Sequence, residues 1–443
     1  MRTLLAGAYM VTMDDAETEY ENGWVAISDG VVEAAGDGAR PEAEETVDLG
    51  GAVVTPGLVN THHHLYQTLT RTRAQQADLF GWLKELYPVW GRIDRESEYA
   101  AARAGLAALA LSGCTTVFDH HYVFPRGRPG LVEAEIQAAR ELGVRIVASR
   151  GSMDLGESQG GLPPDEIVED RDAVLSDTEG LAVLHEEGPG AMVQVAVAPC
   201  SPFSVTKGLM RESAELARRL GLRLHTHLAE TVQEEEYCRG LFGCRPLEYL
   251  EQVGWLAGDV WCAHCVHLSD GDVAEFGRAG TGVAHCPTSN LRLGAGIAPV
   301  RAMLDAGVPV GLGVDGSASN ERGDLLLDVK EALLVARGRD GPEALTAREA
   351  LRLGTRGGAE VLGRDDVGSL EPGKSADLAV WRTDGLEFGG ADDLVAALVL
   401  AAPQRVERLY VGGEEVVREG RLVNADEGEI AREHRAQAAR FLP

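Results

Sequence analysis

The chain has 443 residues with 41 basic against 70 acidic side chains, and its net charge of −29 argues against binding the phosphate backbone of nucleic acid. With 44% hydrophobic and 25% charged residues it has the balance of an ordinary globular protein, and no run approaches the roughly 18 consecutive apolar residues of a membrane span. Its N-terminus carries no secretory pattern and its seven cysteines show no framework spacing, so reduced thiols and a cytoplasmic location are expected.

Residues 1–50 read as short alternating segments with turn signals, as in WVAISDGVVEAAGDG. From Gly51 onward eight short β-rich runs alternate with helical stretches: AVVTPGLVNT, TTVFDHH, RIVASRGS, VQVAVAPC, LRLHTHLAE, VWCAHCV, GVAHCP and VPVGLGVDG. Between them lie segments such as SEYAAARAGLAALALSG, LVEAEIQAARELG and LMRESAELARRLG, several closed by the glycine that often ends a helix. Eight apolar strands, each followed by a helix, predict an α/β fold, a parallel (β/α)8 TIM barrel over residues 51–365. From about residue 366, VGSLEPGKSADLAVW and RVERLYVGGEEVV resume the alternating style. Residues 1–50 and 366–443 are therefore expected to form one small β-sandwich domain from the two ends of the chain.

Polar residues of the eight runs sit at their C-terminal ends, the face on which barrel enzymes assemble active sites from several strands. Side chains alternate along a strand, so in the HHH triplet His62 and His64 point one way and His63 the other. The first two are a candidate pair of metal ligands. HTHLAE adds His225, His227 and Glu230, AHC adds His264, and GVDGSASN adds Asp315. Imidazole and carboxylate suit Zn²⁺, which in catalytic sites keeps a position open for water. The pair Cys262 and Cys265 lies in an apolar, strand-like run with no second pair and reads as buried thiols.

PGLVNTHHH, HTHLAE, AHC, HCPTSN and GVDGSASN, in that order, resemble the amidohydrolase superfamily, in its branch of metal-dependent nucleobase and triazine deaminases. GSLEPGKSADLAVW is similar to the C-terminal sandwich segment of the same family, so the resemblance spans nearly the whole chain. It implies His62, His64, His227 and Asp315 as metal ligands and Glu230 as the proton shuttle, with His264 and Asp315 orienting the attacking water. It further implies a hydrolase acting on C–N bonds of cyclic amidines with one Zn²⁺ per chain, Fe²⁺ or another divalent ion being the alternative. Two-metal members of the superfamily commonly use a carbamylated lysine at the end of the fourth strand. VQVAVAPC contains none and Lys207 lies beyond it, which favours a mononuclear site.

The loop stretches HLYQTLTR, FGWLKELYPVW, DHHYVFP and APCSPFSV are similar to those of the oxidised-purine deaminases in that branch. This implies conversion of 8-oxoguanine to urate and ammonia, with s-triazine hydrolysis or guanine or pterin deamination as alternatives on the same scaffold. A non-catalytic scaffold is disfavoured, because every ligand and Glu230 are present. Gln67 offers a bidentate amide to a purine edge, Trp82 and Tyr122 offer flat aromatic surfaces, and Arg71 is a candidate partner for a carbonyl oxygen. One of His120 and His121 is expected to reach the substrate, and His285, Asn290 and Ser317 to support the site. Expected partners are a small purine-like substrate and further copies of the chain in a homo-oligomer, with neither nucleic acid nor membrane.

Overall fold

Eight strands close into a parallel barrel in a computed structural model that describes residues 2–402 and 405–442. In chain order they are β1 (Leu58–Asn60), β2 (Cys114–Asp119), β3 (Arg145–Ser152), β4 (Val193–Pro199), β5 (Arg223–Leu228), β6 (Val260–His264), β7 (Gly282–His285) and β8 (Val310–Leu312). Pairing of β8 with β1 shuts the ring. Nearly every strand side chain is buried, as expected of parallel strands flanked by helices. Val59, Phe118, Val147, Ala196, Trp261 and Ala284 form one cluster with Val361 and Leu362 of the helix Arg356–Leu362, so the interior is packed rather than hollow.

The helices start and stop on local signals. Asp94 and Ser97 form a reciprocal capping box at the head of Arg95–Leu111, and the Thr206 hydroxyl accepts from Leu209 N at the head of Lys207–Leu220. Leu131–Leu142 and Lys207–Leu220 both end at the glycine that closes their sequence pattern. Among the described residues no helix is long and apolar enough to cross a membrane.

The run AVVTPGLVNT is not a single barrel strand. It breaks at Gly57: Ala52–Pro56 pairs antiparallel with Leu378–Arg382, and only Leu58–Asn60 joins the barrel. A Cβ at Gly57 would lie 2.2 Å from Thr115 Cγ2, so glycine alone lets the chain pass from one sheet to the other beside β2. The chain ends build one nine-stranded sheet, in which Ala52–Pro56 lies between Arg2–Val11 and Leu378–Arg382. Two register shifts bend Arg2–Val11, and the sheet wraps a core of its own that includes Leu5, Met10, Val25, Val54, Leu378 and Val380.

A buried ion pair ties this sheet to the barrel: Arg145 of β3 donates two parallel bonds to Asp377, the residue before Leu378–Arg382, at 2.8 and 3.0 Å. A second, local pair joins Arg364 to Asp366 by two bonds at 2.7 and 2.8 Å. All seven cysteines are free and buried, Cys262 and Cys265 included.

Candidate active site

β1 ends at Asn60, and the next residues run on to a short helical turn, Leu65–Thr70. Here His63 turns away toward Asp119, its Nδ1 3.9 Å from Oδ1, whereas His62 and His64 meet His225, His227 and Asp315. Hydrogen-bond partners fix the tautomers. His64 Nδ1 lies 2.7 Å from the carbonyl of His120, and His227 Nδ1 2.7 Å from that of Cys200. A carbonyl only accepts, so each Nδ1 carries the proton and each Nε2 bears a lone pair. Those two Nε2 atoms nevertheless face each other at 3.2 Å. His225 Nδ1 donates to Trp261 O at 3.0 Å, which leaves its Nε2 to accept from His62 Nδ1 at 2.9 Å. His62 Nε2 is therefore a third lone pair, buried without a hydrogen-bond partner and 3.4 Å from Asp315 Oδ1. The same oxygen is 3.3 Å from His64 Nε2.

Three imidazole lone pairs and a carboxylate oxygen thus converge with no proton among them, an arrangement that only a cation stabilises. Burial pushes His62, His64 and His227 below the ordinary imidazole range, which keeps them available as donors. Burial alone would raise the Asp315 carboxyl, but its close approach to His62, His64 and His264 holds it well below the usual range. Donors of this kind fit a divalent metal such as Zn²⁺.

β5 ends at Leu228, and Ala229 takes a left-handed conformation, φ 51°, that turns Glu230 into the mouth. The Glu234 carboxylate clamps this turn, accepting from Ala229 N at 2.8 Å and Glu230 N at 3.1 Å. His264 and Asp315 are also left-handed, at φ 71° and 63°, a costly conformation for residues with a Cβ and one that recurs at functional sites. His264 Nδ1 bonds Asn290 Oδ1 at 2.9 Å, which aims Nε2 at Glu230 Oε2, 3.6 Å away, and Asp315 Oδ2, 3.9 Å away. The Ser289 hydroxyl donates to Asp315 Oδ2 at 2.6 Å. Burial raises the Glu230 carboxyl to about 7, with His264 opposing and Asp315 adding to the effect.

These groups open onto a narrow cavity at the C-terminal ends of the barrel strands. Gln67, Trp82 and Tyr122 line it. Gln67 is fully buried, and neither its Oε1 nor its Nε2 has a hydrogen-bond partner. It packs across Gly316, where a Cβ would stand 1.9 Å from Oε1. The Trp82 indole donates to Ala318 O at 3.3 Å, and the Tyr122 ring stands edge-on to His64 with centroids 5.1 Å apart.

Arg71 does not line the cavity; its guanidinium donates to Glu321 O at 2.9 Å and Thr68 O at 3.2 Å. Neither His120 nor His121 lines the cavity either. His120 stacks on His227 with its Nε2 donating to Ala198 O, while His121 points outward to Glu135. His285, at the end of β7, and Ser317, just beyond Asp315, are buried, and His285 has no hydrogen-bond partner on either nitrogen.

Sequence reasoning missed part of the wall. Leu79, Leu83 and Tyr87 join Trp82 from the helix Leu79–Trp90, with Phe203 and Leu293 beyond them. The spacing of 79, 82, 83 and 87 on one helical face was the available signal. It looks identical to an ordinary core stripe.

The chain belongs to the amidohydrolase family, whose profile matches residues 53–416. It is 47% identical over 426 residues to the 8-oxoguanine deaminase of Pseudomonas aeruginosa, covering 95% of each chain. An isoxanthopterin deaminase from an unknown prokaryotic organism is 38% identical over 93% of this chain and 90% of its own. Among solved structures, the atrazine chlorohydrolase of Arthrobacter aurescens TC1 complexed with zinc superposes with a TM-score of 0.94 at 37% identity, over 98% of this chain and 100% of that one.

Proposed function

We propose that the chain is a hydrolytic deaminase that converts 8-oxoguanine to urate and ammonia, using one divalent metal, zinc first, held by His62, His64, His227 and Asp315. The observation that carries the reading is Glu230: a buried carboxyl on the cavity wall beside that donor set, raised to about 7. The 47% identity to the Pseudomonas aeruginosa enzyme supports the choice of substrate. A bound divalent metal lowers the pKa of water from about 15.7 to about 7 and so supplies hydroxide at neutral pH.

Glu230 protonates the ring nitrogen next to C2 while the water oxygen adds to that carbon. His264 Nε2 and Asp315 Oδ2 hold and accept the proton that the water gives up. The C2–N bond then breaks, the amine leaves as ammonia with the transferred protons, and uric acid remains, ionised to urate. Gln67 presents an acceptor and a donor with no partner of their own, a match for one edge of a purine. The same reading takes the enzyme as a cytoplasmic homo-oligomer, and the free, buried cysteines support a reducing compartment.

A second reading, deamination of a pterin or guanine or hydrolysis of an s-triazine, is favoured by the likeness to the isoxanthopterin deaminase and the chlorohydrolase and uses the same donors. Ammonia release across 8-oxoguanine, guanine, pterins and triazines decides between them. A site built to hydrogen-bond the 8-oxo group rejects its absence by as much as about 10⁴-fold, so guanine is expected to be much slower. Faster release from guanine, or release from pterins or triazines alone, rejects the substrate.

A further inference from the structure

Outside the metal donor set, the structure buries a second group of ionisable side chains that the deaminase reading does not use. Glu98 on the helix Arg95–Leu111, Glu135 on Leu131–Leu142, and Asp119 and His121 at the end of β2 are all 0% exposed. His121 Nδ1 lies 2.8 Å from Glu135 Oε1 and 3.7 Å from Glu98 Oε1, while its Nε2 donates to Val123 O at 3.0 Å. Ligand atoms of Glu98, Glu135 and His121 lie within 4.8 Å of one another, and the Glu135 carboxyl stands beside Asp119. Burial holds all three carboxyls well above their ordinary range. Burying so many polar groups is costly, and closing a barrel does not require it.

What the cluster holds is visible at its inner end. Asp119 Oδ1 accepts from Leu65 N at 2.6 Å, the leading amide of the Leu65–Thr70 turn, which has no partner within its own helix. From the next residue, His120 N donates to His63 O at 2.8 Å, and His120 O accepts from His64 Nδ1 at 2.7 Å. The end of β2 therefore grips three successive residues, His63, His64 and Leu65. The turn they lead into carries the unpartnered Gln67 amide.

We propose that Asp119, oriented by Glu135, Glu98 and His121, is a positioning residue that fixes the Leu65–Thr70 turn and thereby sets the Gln67 amide against the substrate. The part played by Gln67 rests on the deaminase reading; the hold on the turn does not. Asp119→Ala removes the acceptor, whereas Asp119→Asn keeps Oδ1 as an acceptor for Leu65 N.

In the zinc-loaded full chain, Asp119→Ala is expected to raise KM for 8-oxoguanine by roughly ten-fold, the worth of one hydrogen bond, with kcat within about three-fold. Amide hydrogen exchange across residues 65–70 is expected to quicken by about ten-fold or more while the other barrel amides keep their protection. Asp119→Asn is expected to restore both readouts. Should Asp119→Ala not fold, Asp119→Ser takes its place, since the shorter hydroxyl cannot reach Leu65 N. Unchanged exchange over 65–70, an unchanged KM, or failure of Asp119→Asn to rescue overturns the proposal. A second divalent ion per chain, lost in Glu98→Gln, also overturns it, because the cluster would then be a cation site. Exchange is read without substrate, so a wild type inactive on 8-oxoguanine rejects the substrate reading while the exchange pattern still judges the hold on the turn.

Discussion

A carboxyl that gives a proton to a heterocycle and takes one back works best when its pKa lies near the working pH. Burial sets Glu230 there, at about 7, and the Glu234 clamp keeps it in place. Glu230→Gln preserves the size of the side chain and removes the proton. Ammonia release is expected to fall by about 10²- to 10⁴-fold with metal content unchanged, and near-normal turnover removes Glu230 from the role. The three adjacent histidines separate in a different assay. Metal analysis is expected to find His64→Ala depleted and His63→Ala loaded, because His64 Nε2 meets His227 and Asp315 whereas His63 faces Asp119. Metal loss in His63→Ala reverses that assignment.

Two small elements shape the substrate side of the cavity: the Leu65–Thr70 turn and the segment beginning at Gly316 that follows β8. Gly316 has no positive φ, so alanine is tolerated by the backbone, but its Cβ would overlap the Gln67 amide. Gly316→Ala is expected to raise KM by roughly ten-fold or more by displacing that amide, with the fold and metal content retained. An unchanged KM means that Gln67 does not touch the substrate. At this scale the limits of the sequence are physical. H-x-H, HTHLAE and GVDG are legible because the residues that converge on the metal donors lie close together at strand ends, in a recognisable order. The wall from Leu79–Trp90 is not, because an apolar helical stripe facing a ligand has the same pattern as one facing a core. Glu234 escapes notice because its task exists only once Ala229 adopts a left-handed turn. Arg71 carries the converse ambiguity: an arginine beside a candidate site also satisfies loop carbonyls, as this one does, and nothing local in the sequence distinguishes that from a substrate contact.

At the scale of the molecule, buried ion pairs tie stability to acid. Burial would raise the Asp366 carboxyl, but Arg364, the Gly190 amide and Arg145 bring it down to about 2 from an ordinary 3.8. The folded pKa is below the unfolded one, so this stabilisation is complete above about pH 4 and disappears as pH falls toward 2. Its size is roughly 2 kcal/mol. Urea unfolding at a series of pH values is expected to show that slope in the wild type and its loss in Asp366→Asn; an equal slope in both means the Arg364 pair contributes nothing over that range. The eight-strand rhythm and the reunion of the two chain ends were readable, since each barrel strand is a short apolar run and both ends share an alternating style. The division of AVVTPGLVNT between two sheets was not. Its cause is the contact between Gly57 and Thr115, residues distant in sequence.

That division has a consequence for how the protein is made. Ala52–Pro56 has Arg2–Val11 on one side and Leu378–Arg382 on the other, so the entire barrel is inserted between two neighbouring strands of one sheet. At translation speeds of about 5–20 residues per second, the first of these strands leaves the ribosome tens of seconds before its antiparallel partner exists. Throughout that interval the edge of a strand that is fully buried in the finished fold stands open while the barrel assembles beside it, the kind of edge that recruits other chains. Nascent chains stalled within the barrel are therefore the ones that most need a chaperone, and a supplied Leu378–Val411 segment is the piece that would cover them.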